Sequence, residues 1–127
     1  MESYGAAVRG ERYLKKNSQF TLVHEEGKSW AGREIVLKAL STGANSSRFG
    51  FIVSHRVGNA VVRNRIKRRL REITRQTPVQ AGWDIILIAR IPAATADYKN
   101  LENTVNKLMT RAGLIIGENE SNSPGVN

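Results

Sequence analysis

The chain has 127 residues, enough for one domain of ordinary size, and no cysteine, which excludes disulfides and thiolate metal sites. Twenty lysines and arginines face 11 acids, a formal charge of +9 with few aromatics, and that balance points to nucleic acid first and an anionic membrane surface second. No apolar run reaches membrane length, because Ile85 to Ala89 is followed at once by Arg90, and the N-terminus lacks a secretory hydrophobic segment, so the expectation is a cytoplasmic protein.

Residues 1–10 are small and polar without periodicity and read as a mobile arm ahead of a single domain over 11–116. Asn17 is placed to cap a helix that stops at Gly27, with Phe20, Val23 and His24 on one face. Val23 reads as core. Phe20 has two readings, core packing or a platform on which a base stacks while Lys15 and Lys16 neutralise neighbouring phosphates. Lys28 to Ala31 and Glu34 to Leu40 read as strands, and the turn-forming run Ser41 to Ser47 predicts an antiparallel hairpin joining the second of them to Arg48–Ser54. Lys38 and Arg48 are expected beside the helix of Phe20, lining a groove; the plainer reading is a solvated sheet face.

The most informative stretch follows. From Arg56 to Arg75 there are eight basic residues and one acid, Glu72, so most of the net charge is local. Val62, Ile66, Leu70 and Ile73 recur at helical spacing and predict one buried stripe. Arg63, Lys67 and Arg71 fall on one flank, Arg65 and Arg69 on the other, and Asn64, Arg68 and Arg75 opposite the stripe. Asn59, after Gly58, is placed to cap this helix. A run of mixed charges is commonly a solvated surface, but here the signs are not mixed, and the mutual repulsion calls for an external anion.

Trp83 or Asp84 to Ile91 reads as an interior strand, apolar on both faces. Asp97 then caps a last helix to about Ala112, with Tyr98, Leu101, Val105, Leu108 and Ala112 as its buried stripe and Gly113 as its stop. Residues 117–127 have too little apolar content to pack and are expected to be disordered. The predicted fold is α+β, a two-layer sandwich in the order α-β-β-β-α-β-α with a mixed four-stranded sheet.

Gly58-Asn59-Ala60-Val61-Val62-Arg63-Asn64-Arg65-Ile66-Lys67-Arg68, followed by Arg71, resembles the signature of the protein subunit of bacterial ribonuclease P. Leu14-Lys15-Lys16-Asn17, Phe20, Gly27, Ile88-Ala89-Arg90 and Pro92-Ala93 fall in the order of that family. The resemblance implies a left-handed βαβ crossover, against the right-handed general rule. It also implies a protein that assists a catalytic RNA subunit, which with RNA-bound Mg²⁺ hydrolyses the phosphodiester at the mature 5′ end of precursor tRNA. Its partners would be that RNA and the single-stranded 5′ leader, with no membrane and no protein partner required.

On this reading Arg56, Asn59, Arg63, Asn64, Arg65, Lys67, Arg68, Arg69 and Arg71 contact RNA, while Asn64 has a second reading as the clasp of a neighbouring loop. The leader groove is expected to have Phe20, Val36 and Phe51 as its floor and Lys15 and Lys16 near phosphates. His24 and Lys38 stand where many relatives have aromatics, which favours phosphate contact over base stacking. A protein nuclease would need a general base or clustered metal ligands. His24 and His55 have no partners at suitable spacing, and Glu25 and Glu26 point to different sides of their helix, so no catalytic or metal residue is assigned. The competing classes are a structural or ribosome-associated RNA-binding protein without a processing role, and a self-sufficient protein nuclease.

Overall fold

The computed structural model describes residues 12–116, so the N-terminal arm and the C-terminal tail lie outside the described residues. In chain order the elements are α1 (Asn17–Glu26), β1 (Lys28–Ala31), β2 (Ile35–Ser41), β3 (Arg48–Ile52), α2 (Ala60–Arg75), β4 (Trp83–Ala89) and α3 (Tyr98–Arg111). Short 3-10 turns, His55–Val57 and Ile91–Ala94, follow β3 and β4. The expected α+β order and four-stranded mixed sheet are both present.

The sheet order is β1-β2-β4-β3, with β4 antiparallel to β2 and parallel to β3. The hairpin expected between β2 and β3 is therefore absent, because β4 lies between them. The apolar run Ile85-Ile86-Leu87-Ile88 has no face that tolerates water, and an interior position satisfies its backbone on both sides at once. The turn-forming residues after β2 instead cross the start of β4. Gly82 there has a φ of +95°, a conformation that favours glycine, and its carbonyl accepts from the N–H of Thr42 at 2.7 Å. Ser47 Oγ seals the crossing, donating to the carbonyl of Gln80 at 2.6 Å and accepting from the N–H of Trp83 at 3.0 Å.

Alternation divides the sheet into two faces. Ile35, Leu37, Ala39, Phe49, Ile85, Leu87 and Ala89 point to one face and pack with Ile66, Leu70 and Ile73 of α2 and Leu101, Val105, Leu108 and Met109 of α3. Met109 is a core residue outside the stripe expected for α3, while Ala112 is only half-buried at the C-cap. The other face carries a smaller cluster, Val23 and Leu14 on Ile86, with Phe20, Leu40, Ile52 and Ile88 around it.

The helix ends follow local chemistry. Asn59 accepts from the N–H of Val62 at 3.0 Å, and Asp97 from that of Asn100 at 2.8 Å, both as expected. For α1 the cap lies one residue earlier than expected, at Lys16, because the Gln19 side chain reaches back to accept from the N–H groups of Lys15 and Lys16. Thr104 of α3 donates to the buried Glu34 at 2.6 Å, tying the last helix to the start of β2.

Across the β3–β4 pair, Arg48 binds Asp84 through two parallel hydrogen bonds of 2.9 and 2.8 Å. Asp84 is 5% exposed, whereas the Arg48 side chain keeps about a quarter of its surface in water. Asp84→Asn is expected to lower unfolding stability by about 2–3 kcal/mol, less than loss of a fully buried pair because Arg48 reaches solvent. Urea unfolding at constant ionic strength measures it.

Candidate nucleic-acid interface

α2 forms because its apolar stripe is buried independently of its charges. Ile66, Leu70 and Ile73 are fully or almost fully buried, and Val62 is half-buried at the same edge. The outermost ridge, Val61, Asn64, Arg68, Arg71 and Arg75, is exposed along the length of the helix. Arg75 pairs with Glu72. Among the described residues no carboxylate or carbonyl accepts from Arg68, Arg71, Lys67 or Arg56.

The two flanks differ. Arg65 donates to the carbonyl of Ala94 at 3.0 Å and Arg69 to that of Ala96 at 3.1 Å, so both side chains clasp the segment between β4 and α3. Arg65 Nε is buried without a partner among the described residues, so its guanidinium lies partly within the fold. The clasp assigned as an alternative to Asn64 is thus made by its neighbours, and Asn64 itself is exposed with no side-chain hydrogen bond among the described residues. Arg63, on the opposite flank, folds back to the carbonyl of Gly58 at 2.8 Å.

The start of α2 lies where β3 and β4 end. The 3-10 turn carrying His55 and Arg56 contacts the one carrying Ile91 and Pro92, and both contact α2. Arg56, Asn59 and His55 are exposed there, and so are Val61 and Ile91, two large apolar side chains for which the sequence suggests no role. Asn59 still has its cap to make, which commits its oxygen to Val62.

The groove residues are only partly brought together. Phe20 and Val23 of α1 lie over the face that carries Val36 and Lys38. Phe51 does not belong to this face. It packs on the opposite side of the sheet, its ring parallel to Phe49 at 6.4 Å and tilted against Tyr13 at 5.9 Å. The parity of Phe51 matches Phe49 and Val53, not Arg48 and Lys38, and a strand cannot point consecutive residues to one side.

In its place the structure supplies Ile52 and Ile88. Val36 stands opposite Ile88, and Ile88 opposite Ile52, so a row of three half-buried aliphatic side chains crosses β2, β4 and β3. Ala31 extends the row to β1. The sequence signal for both residues is an even spacing from Arg48 and Asp84, which puts each on the same face as those two. Lys15, Lys16 and His24 are exposed on or beside α1, and Lys38 is half-buried.

Among the described residues no three histidines, aspartates or glutamates gather into a metal-holding group. No described helix is long and apolar enough to cross a membrane. Two open clefts lie elsewhere: one of about 670 Å³ between the C-terminal ends of α2 and α3, one of about 280 Å³ beside Tyr13, Phe49 and Arg75.

The sequence pattern describing ribonuclease P matches residues 8–113. The chain belongs to the ribonuclease P protein family. A ribonuclease P protein component of Dehalococcoides mccartyi is 41% identical over 110 residues, covering 87% of this chain and 92% of the relative. That of Roseiflexus castenholzii is 40% identical over 107 residues, covering 82% and 88%. The solved ribonuclease P protein of Staphylococcus aureus superposes with a TM-score of 0.75 at 32% identity, over 82% of this chain and 97% of that one. The Thermotoga maritima protein gives 0.70 at 30%, over 78% and 96%. The likeness to ribonuclease P proteins thus extends to both sequence and fold.

The clasp separates arginines that hold the fold from arginines that do not. Arg65→Met and Arg69→Met are each expected to lower stability by about 1–2 kcal/mol, since each strands a carbonyl. Arg68→Met and Arg71→Met remove the same charge and are expected to stay within about 0.5 kcal/mol of the parent. Urea midpoints of the four variants decide it.

Proposed function

We propose that this chain is the protein subunit of a bacterial ribonuclease P, acting in tRNA maturation in the cytoplasm. It binds the catalytic RNA subunit and the 5′ leader of precursor tRNA, and the RNA cleaves the leader to make the mature 5′ end. The observation that supports this most directly is the exposed ridge of α2, where Arg68 and Arg71, beside Lys67 and Asn64, have no acceptor among the described residues and fall within the stretch that resembles the family's signature.

RNA backbone is the partner this ridge suits. Guanidinium groups match phosphate oxygens in a planar fork, and the cations released on binding supply affinity. Arg56, Asn59 and Arg63 extend the basic surface around the start of α2, where the helix dipole also favours an anion. Arg65 and Arg69 contribute charge from behind while their donors hold the α3 linker. The chemistry is assigned to the RNA, with Mg²⁺ held by RNA and substrate, and the protein has the role of a non-catalytic subunit that positions the leader.

For the leader, the row Val36, Ile88 and Ile52 offers a smooth aliphatic floor, with Phe20 at its side and Lys15, Lys16 and Lys38 for phosphates. Such a floor contacts any base without reading its edges.

The deciding experiment is cleavage of a leader-bearing precursor tRNA at low Mg²⁺ by a bacterial ribonuclease P RNA, by this protein, and by both. The expected outcome is silence from the protein alone and stimulation of the RNA. Arg68→Ala with Arg71→Ala should weaken RNA-subunit binding with unchanged circular dichroism, and the slope of log affinity on log salt should become shallower by about 1.5, from ~0.7–0.9 per lost contact. Cleavage by the protein alone would assign catalysis to the protein, and binding without stimulation would make it a structural RNA-binding protein.

With His24 and Lys38 in place of aromatics, precursors differing only in leader bases are expected to be cleaved at rates within roughly threefold, a spread below the worth of one stacked base. Strong discrimination among leaders would contradict this.

A further inference from the structure

Gly50 lies midway along β3, an edge strand of the sheet, on the same face as Ile86, which it stands opposite. A Cβ at this position would stand 2.5 Å from Cε1 and 2.7 Å from Cζ of Phe20, and 3.2 Å from Cδ1 of Leu14. Carbon atoms in contact sit about 3.5–4.0 Å apart, so ring and side chain cannot share the space. Backbone conformation does not call for glycine here, since the positive-φ glycines among the described residues are Gly43, Gly82 and Gly113. The missing side chain is a seat for the ring, one of the uses of glycine within a strand.

α1 has two anchors on the sheet. Val23, fully buried, fastens its C-terminal half with Ile86, and Phe20 on Gly50 fastens the N-terminal half, next to Lys15 and Lys16. Added bulk at Gly50 would press on the ring and, through it, on the N-terminal end of α1, shifting the two lysines and the ring edge relative to the row Val36, Ile88 and Ile52.

We propose that Gly50 is a positioning residue for the leader groove, fixing the depth at which Phe20 lies and hence the height of α1 above the aliphatic row. The inference rests on the reading of this face as the leader site. It assigns to a residue without a side chain the spacing between an aromatic ring and the floor beside it.

The test uses holoenzyme assembled from a bacterial ribonuclease P RNA and the full chain. Its readout is the leader gain, the affinity for a precursor with a leader of several nucleotides divided by that for one with a single-nucleotide leader, with RNA-subunit affinity as internal reference. Gly50→Ala is expected to reduce the leader gain roughly tenfold, the loss of about one base–aromatic contact, and to leave RNA-subunit affinity in place. Phe20→Leu is expected to lose a similar amount, and the double variant no more than Phe20→Leu alone, because the shorter side chain vacates the seat. An undiminished gain in Gly50→Ala, or additive losses in the double variant, overturns the inference while the leader reading stands. A wild-type enzyme indifferent to leader length overturns both. If Gly50→Ala alone does not fold, the double variant decides: stability equal to that of Phe20→Leu supports the steric seat, and an unfolded double variant rejects it.

Discussion

β4 is the element on which both halves of the structure depend. Its backbone pairs with β2 at seven positions and with β3 at five, and its side chains wall two cores, Ile85, Leu87 and Ala89 on one face and Ile86 on the other. A strand apolar on both sides is stable only when both sides are covered. α2 and α3 cover one face, and α1 covers half of the other. At the half-buried margin of that cover Val36, Ile88 and Ile52 lie in a row. The proposed leader groove would then be a by-product of how far a helix of ten residues reaches across a four-stranded sheet.

The density of charge on α2 is tolerated because apolar burial outweighs the repulsion. Burial of Ile66, Leu70 and Ile73 contributes roughly 1.5–3 kcal/mol each. Like-charge neighbours such as Arg63 and Lys67, Lys67 and Arg71, or Arg65 and Arg69 cost only about 0.2–0.5 kcal/mol per pair. Burial wins without any bound anion. The repulsion that the sequence presents as a demand for a ligand is thus a modest strain that a ligand would relieve, and the case for a phosphate partner rests on Arg68 and Arg71, which are exposed and have no acceptor among the described residues. Arg65 and Arg69 reduce the strain further by directing their donors into the carbonyls of Ala94 and Ala96.

Local signals are legible in the sequence and long-range ones are not. The caps at Asn59 and Asp97, the stripe of α2 and the interior character of β4 depend on residues within a few positions of one another, and all are readable. The pairing of β2 with β4 is not, because seven turn-forming residues between two strands look the same whether they close a hairpin or step over a third strand. The crossing depends on Gly82 and Ser47, which are 35 positions apart. Phe51 is misplaced for a different reason: its bulk suggests a groove floor, but its parity puts it on the face opposite Arg48 and Lys38. Arg65 and Arg69 are indistinguishable from Arg68 and Arg71 by composition. Only the position of the α3 linker makes them structural.

The proposed RNA ridge and the proposed leader row lie on opposite sides of the sheet, since α2 packs on the face that α1 does not cover. They approach each other at one place, the end of β3. Ile52 closes the row, and Arg56 stands four residues later at the start of the basic surface. Between them Val53 points into the α2 core and Ser54 is exposed, so the chain itself turns from one face to the other there. A single-stranded leader on the row and an RNA subunit on the ridge would then meet around this edge rather than across a flat surface. The clasp of Arg65 on Ala94 holds the neighbouring turn after β4 against the same corner, with Arg90 bound back to the carbonyl of Gly32. The corner is therefore braced on the β4 side, and a rigid corner would suit the proposed placement of one RNA segment relative to the other.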